Sequence, residues 1–226
     1  MSGILENPIW YGLISGNKHL AIGSGTVKWF PENVTTFAAM EQFTNANFQL
    51  LFDQFPAGTT RATFVPPGVT VSRPWRFIAE MEIYQMLHDG PLPINWQSGK
   101  ISSLGDEQIP DMLELTGLTN PGPFKERTID FGNFYGMYDG ARLVAMAGQR
   151  LQVFQYAEIS AVCTHPDYLG LGYARQLLLY QVSKIREEDR IPILHVKSDN
   201  SRAIKLYESV GFAVSRTLNV LIFRKD

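Results

Sequence analysis

The stretch from residue 157 to residue 212 constrains the fold more than any other part of the chain. It opens with an apolar run, Ala157-Glu158-Ile159-Ser160-Ala161-Val162-Cys163-Thr164, with the length of a buried strand, and Pro166 ends that strand. Two glycines follow, Gly170 and Gly172. Apolar residues then recur at Ala174, Leu177, Leu178, Val182 and Ile185, a period near that of an α-helix. Glycines between strand and helix leave main-chain N–H groups bare at a helix N-terminus, where the helix dipole also favours negative charge. The segment therefore reads as a phosphate seat. A dinucleotide fingerprint would need a third glycine or alanine where Arg175 stands, and no Gly-Lys-Ser/Thr follows to make a Walker loop.

Composition narrows the remaining classes. The 226 residues carry a formal charge of −2, which gives no general attraction to nucleic acid, so any anion site must be local. No stretch approaches the roughly 18 to 20 apolar residues of a membrane span. The first residues, Met1-Ser2-Gly3-Ile4-Leu5-Glu6-Asn7, lack the basic and apolar regions of a secretion signal, so a cytoplasmic protein is expected. Cys163 is the sole cysteine, which excludes an internal disulfide. It reads either as a nucleophile or as a small buried side chain. His19, His88, His165 and His195 include no helical metal-binding pair, and no metal is expected.

Two segments are legible. Residues 1–98 read as a small α+β lobe, with helices over Phe37-Ala38-Ala39-Met40 and Phe48-Gln49-Leu50-Leu51-Phe52 and strands over Ala62–Val65 and Phe77–Tyr84. Pro91, Pro93, Ser98, Gly99, Ser102, Ser103 and Gly105 mark a boundary, and residues 99–226 form a second domain. That domain runs helix (from Ile109), strand (Tyr135–Tyr138), Asp139-Gly140 turn, strand (Leu143–Ala147) and strand (Glu158–Thr164). The glycine-turn helix, a strand over Ile193–Lys197, a helix after Asn200 and a last strand complete it.

Two separated blocks resemble the GNAT superfamily of acyl-CoA-dependent N-acetyltransferases. The family's Gln/Arg-x-x-Gly-x-Gly/Ala element falls on Leu169-Gly170-Leu171-Gly172-Tyr173-Ala174. Its Asn-x-x-Ala-x-x-Leu-Tyr-x-x-x-Gly-Phe element falls on Asn200, Ala203, Leu206, Tyr207, Gly211 and Phe212 with every spacing kept. The resemblance covers roughly residues 105 to 226 and is closest to the two-lobed, glycine N-acyltransferase-like branch. It implies an α+β fold with a mixed sheet that splays after its fourth strand, preceded by a smaller, degenerate GNAT-like lobe. It also implies acetyl-CoA as cosubstrate. The backbone of Val162, Cys163 and Thr164 would line the pantetheine arm, and the amides of Gly170, Leu171, Gly172, Tyr173, Ala174 and Arg175 would hold the phosphates. Asn200 and Tyr207, two helical turns apart, would face the cofactor. One departure is Leu169, which stands where the family usually has Gln or Arg, so acetyl-CoA binding is expected to be weakened rather than lost.

Acyl transfer to an amine needs the amine neutral, and the resemblance offers two bases. Glu158 occupies the position of the family's glutamate base, and an apolar strand would raise its pKa toward a useful range. It also reads as an exposed glutamate or one paired with an arginine. His195 is the second candidate, or else a packed histidine whose ring bonds to a carbonyl. Tyr207 reads as the acid for the leaving thiolate or as a packed aromatic, and Asn200 as a helix cap beside the cleft. The N–H of Val162 is a candidate donor to the reacting carbonyl oxygen. The acceptor is expected to be a small-molecule or peptide amine, walled by the loop from Leu118 to Phe124. A homodimer is expected by analogy. The competing class is an acyl-CoA sensor or interaction module without catalysis, which Leu169 and the extra lobe motivate.

Overall fold

The computed structural model describes residues 3–91 and 100–226. Of the expected boundary residues, Pro93, Ser98 and Gly99 lie outside the described ones. The chain begins with a short helix α1 (Pro8–Leu13), a hairpin-like pair β1 (Val27–Trp29) and β2 (Ala38–Met40), and helix α2 (Asn45–Asp53). Thr44 caps α2 by accepting a hydrogen bond from the Asn47 N–H at 3.2 Å. Of residues 37–40, expected to be helical, Ala38–Met40 form β2 instead, and Phe37 bridges to Ala62. The register of β2 against β1 runs from Val27 opposite Met40 to Trp29 opposite Ala38, and a four-residue apolar run carries no period that would favour a helix.

Strands β3 (Thr60–Val65) and β4 (Arg76–His88) follow, then β5 (Ser102–Ser103) and helix α3 (Ile109–Thr119), which ends where Asn120 turns left-handed. The remainder is β6 (Tyr135–Asp139), β7 (Arg142–Val153), β8 (Tyr156–Thr164), α4 (Tyr173–Glu187), β9 (Ile191–Lys197), α5 (Ser201–Ser209) and β10 (Phe212–Arg224). All but the first two strands join one eight-stranded sheet in the order β3-β10-β4-β9-β8-β7-β6-β5. Among the described strands of this sheet only β8 and β9 pair in parallel, joined by the α4 crossover. Strands β3 and β4, expected to belong to a smaller first lobe, are thus strands of the same sheet, and β4 sits between β9 and β10.

Strand alternation divides the core. Leu194 and Val196 of β9 pack with Leu178, Leu179 and Val182 of α4, together with Met86 of β4. Ile193 faces the other way, into a core that also holds Leu5, Ile9, Phe64, Met146 and Leu218. The N-terminal residues therefore cover the sheet face opposite α4, and hydrophobic burial crosses the expected boundary on both faces.

Candidate active site

The cleft arises where β8 and β9 part. Their pairing ends at Ile159 opposite Leu194, after which β9 stays on β4 through Lys197 while β8 continues along β7 to Thr164. The outer stretch of β8 is also bulged. Cys163 opposes Met146 and Ser160 opposes Gly148, so Ala161 and Val162 share the space of one residue, and Ala161 takes a left-handed φ of 52°. A bulge of this kind leaves ladder groups unpaired at the lip of the opening, where an extended ligand can take the place of a strand.

Beyond the strand, His165 caps a short 3-10 turn, Pro166–Tyr168. Its Nδ1 accepts the Asp167 N–H at 3.2 Å, and its Nε2 lies 2.7 Å from the Arg142 guanidinium. His165 is thereby a turn residue. Gly170 and Gly172 follow with φ of 83° and 79°, and a Cβ at either would meet no protein atom within 4 Å. The glycines are required by backbone conformation, and the space beside them is open. The α4 ladder begins with the Gln176 N–H donating to the Gly172 carbonyl at 3.0 Å, so the amides from Gly170 to Arg175 precede it. Tyr168 and Tyr173 stack across the turn, and the Tyr168 hydroxyl donates to Asp139 at 2.6 Å. The side chains of Leu169 and Leu171 are exposed.

Glu158 and His195, the two candidate bases, are brought together in a buried polar chain. Glu158 is fully buried. Its carboxylate accepts from Arg150 Nε (3.0 Å) and Nη2 (2.5 Å), from the Leu151 N–H (3.2 Å) and from His195 Nδ1 (2.7 Å). The Leu151 amide is free to do this because a second bulge sets Arg150 and Leu151 of β7 opposite the single residue Glu158. His195 Nε2 lies 2.9 Å from the Gln85 amide nitrogen, which also donates to the Leu5 carbonyl at 3.1 Å. That carbonyl requires the nitrogen end of the amide on its side, so Nε2 is the acceptor and Nδ1 carries the hydrogen.

The expectation that Glu158 would have a raised pKa is corrected. Burial alone would raise it. The charge of Arg150, and the charge and hydrogen bond of His195, outweigh burial and hold the carboxyl well below the usual carboxylate range. Of the alternatives open in the sequence, the pairing with an arginine is the one present. Sequence reasoning missed Arg150 and Gln85. For Arg150 the signal was a polar pair, Gln149-Arg150, following the apolar run Leu143–Ala147. Gln85 gave none, because its role depends on β4 lying beside β9.

Tyr207 on α5 packs with Val162 and Tyr84 on the core beneath α4, and burial pushes its phenol up to about 12. Val162 also packs against the cluster of Val144, Ala145, Ala147 and Leu177, as Tyr168 and Tyr173 of the glycine turn do, so the splayed strand borders both that cluster and the one that α5 packs on. Asn200 caps α5, its side-chain oxygen accepting the Ala203 N–H at 3.1 Å. Cys163 is buried, with its thiol pushed up to about 11 by desolvation, which favours the inert reading over the nucleophile. The Thr164 hydroxyl is buried with no hydrogen-bond partner among the described residues. Arg175 is exposed on the first turn of α4.

A narrow cleft of about 20 Å³ adjoins the β8 bulge, lined by Pro121 to Phe124, Thr35, Gln149, Arg150, Ser160 and Ala161 among others. The loop expected to bind the acceptor thus meets the splayed strand. Among the described residues no group of three His, Cys, Asp or Glu side chains could hold a metal, and no helix is long and apolar enough to cross a membrane.

Comparison with known proteins agrees with this geometry. The FR47-like protein family matches residues 134–220. A structure described as an acetyltransferase from the GNAT family of Novosphingobium aromaticivorans superposes with a TM-score of 0.92 at 31% identity, covering 99% of both chains. The [Ribosomal protein bS18]-alanine N-acetyltransferase of Salmonella typhimurium is 29% identical over 118 residues, which span 50% of this chain and 79% of the relative. N-alpha-acetyltransferase RimI of Mycobacterium tuberculosis is 34% identical over 97 residues, 41% of this chain and 60% of the relative. The whole-length match, with the splayed strands and the glycine turn, establishes that this chain belongs to the GNAT family of acyl-CoA-dependent N-acetyltransferases.

Proposed function

We propose that the protein transfers the acetyl group of acetyl-CoA to the α-amine of an amino-acyl or peptide acceptor. The observation that carries the transferase reading is the pairing of a strand splay with a glycine turn whose amides precede the helical ladder. Acetyl-CoA supplies the activated acyl group. The amides from Gly170 to Arg175 take its phosphates, and Val162, Cys163 and Thr164 line the arm between them and the cleft. The N–H of Val162, which lies in the bulge, donates to the carbonyl oxygen that gains charge during attack.

Tyr207 acts as a hydrogen-bond donor toward the departing sulfur. With a phenol at about 12 and a thiol near 8.5, full proton transfer to the thiolate is uphill by roughly 3 to 4 pK units. Donation without transfer still stabilises the developing charge.

The acceptor class follows from the missing base. Glu158 and His195 spend their lone pairs on Arg150, Leu151, each other and Gln85, and among the described lining of the acceptor cleft there is no carboxylate or imidazole. An amine must then arrive neutral. An α-amine, with a pKa of about 7.7 to 8.0, is neutral in roughly one molecule in seven at pH 7, against about one in 2,500 for a lysine side chain at about 10.4. The curated relatives are named for α-amine acetylation, which supports the same choice.

The test is calorimetric titration of acetyl-CoA, with Gly172→Asp as control, followed by thiol release with α-amine and ε-amine acceptors. Binding lost in the variant, with release favouring α-amines, supports the proposal. Binding without release from any amine favours the non-catalytic sensor, a reading for which the exposed Leu169 and the locked Glu158 speak.

A further inference from the structure

Arg150 presents hydrogen-bond donors to the acceptor cleft, and the Glu158 pair decides which ones. A guanidinium has five N–H groups in a fixed plane. One on Nε and one on Nη2 go to Glu158, which leaves the second N–H of Nη2 and both of Nη1, and the first of these forms an edge with one on Nη1. The guanidinium rests against a pair of aromatic rings that touch each other, 4.9 Å from the Phe37 centroid and 5.7 Å from that of Phe64. Glu158 has no exposed surface, whereas the Arg150 side chain is 15% exposed, and it is Arg150 that lines the cleft beside Ser160 and Ala161. The open edge is therefore the one not facing the carboxylate. Because the pair is neutral overall, this edge offers oriented donors with little net charge. That suits a carbonyl oxygen at least as well as an anion.

Resting on the α-amine reading above, we propose that Arg150 determines acceptor specificity. Its free edge binds the oxygen of the acyl group on the amine-bearing carbon, so that the acceptor is recognised as an α-amino acyl unit, an amine and a carbonyl joined to the same carbon. Glu158 is a positioning residue that acts through Arg150. Its bidentate grip fixes the guanidinium, and His195, held by Gln85 and through it by the Leu5 carbonyl, fixes Glu158 in turn. The position of the donor edge is thus tied to the β4 strand and to the N-terminal turn.

Three acceptors test this with acetyl-CoA and thiol release: alaninamide, free alanine, and propargylamine, an amine of similar basicity with no oxygen. Rates are compared per neutral amine. The wild type is expected to prefer the better of the two alanine compounds over propargylamine by about 10- to 100-fold in kcat/KM, the range of a hydrogen bond to a charged group. Preference for alaninamide identifies a peptide carbonyl, and preference for alanine a carboxylate; either supports the recognition. In Glu158→Gln the preference should shrink to within about threefold, through a rise in the KM of the alanine compound. The double variant Arg150→Gln/Glu158→Gln leaves no unpaired buried charge, so it should keep the fold and the acetyl-CoA affinity while losing the preference. Equal wild-type rates, or a preference that survives in the double variant, would overturn the proposal. Absence of thiol release with every amine, from a protein that binds acetyl-CoA, would instead sink the transferase reading and this inference with it.

Discussion

A carboxylate with no solvent contact is tolerated at position 158 because each of its oxygens is occupied and the opposing charge is about 3 Å away or closer. Removing one partner of such a buried pair is far more damaging than never having had it. Glu158→Ala should therefore cost roughly 3 to 5 kcal/mol, read as a lowered midpoint in denaturant, whereas Glu158→Gln keeps hydrogen-bonding capacity and should cost less. The folded-state pKa of Glu158 lies below the unfolded value, so below about pH 5 the unfolded chain binds the extra proton. Its contribution is present in full above the unfolded pKa and drains as pH falls toward the depressed one. Stability measured from pH 6 down to pH 2 should fall less steeply in Glu158→Gln than in the wild type; parallel curves would mean that the pairing does not shift this group. Tyr207 belongs to the same scale. Tyr207→Phe should lower kcat by about 10- to 100-fold with little change in acetyl-CoA affinity, as expected for a donor to developing charge.

The elements around the site differ in how well the chain announces them. The glycine turn could be read directly, since positive φ at Gly170 and Gly172 and the amphipathic run of α4 are local properties. Gly172→Ala should cost about 1 to 2 kcal/mol through its left-handed backbone alone. Gly172→Asp should in addition repel phosphate and abolish acetyl-CoA binding, while circular dichroism keeps its wild-type shape; retained binding would move the phosphates elsewhere. The strand pair at the splay could be read too, because β8 and β9 flank α4 in sequence. The two bulges could not. They depend on register between β7 and β8, and it is register that sets Arg150 opposite Glu158 and leaves Ala161 and Val162 without a residue-for-residue partner on β7. Without them Glu158 reads as a base in an apolar strand, which explains why its position was found and its state was not. The segment at residues 37–40 misled for a related reason. Its fate was set by β1 and by Asn7, whose side chain donates to the Met40 carbonyl at 2.8 Å, and neither contact is local.

At the scale of the molecule, the sheet depends on a strand that precedes the recognisable motifs by some seventy residues. β4 pairs with β10 from Phe212 opposite His88 to Arg224 opposite Arg76, and with β9 from Ile83 opposite Lys197 to Leu87 opposite Ile193. Without it the inner edges of β9 and β10 would both be bare, and an open edge in the middle of a sheet invites pairing with other chains. The losses extend into the packing. Met86 is fully buried against the α4 core, and Gln85 holds His195 and so the Glu158 pair. Composition marks the segment before residue 98 as different, but no local pattern says that a strand within it inserts between two later ones. The fragment 99–226, which carries both family motif blocks, should accordingly fail to fold alone and should aggregate. The whole chain should unfold in a single transition, with probes of the N-terminal tryptophans and of the α4 helix giving coincident curves. Two separated transitions, or a soluble fragment 99–226 that binds acetyl-CoA, would mean that β4 is a detachable neighbour rather than a structural strand of the catalytic sheet.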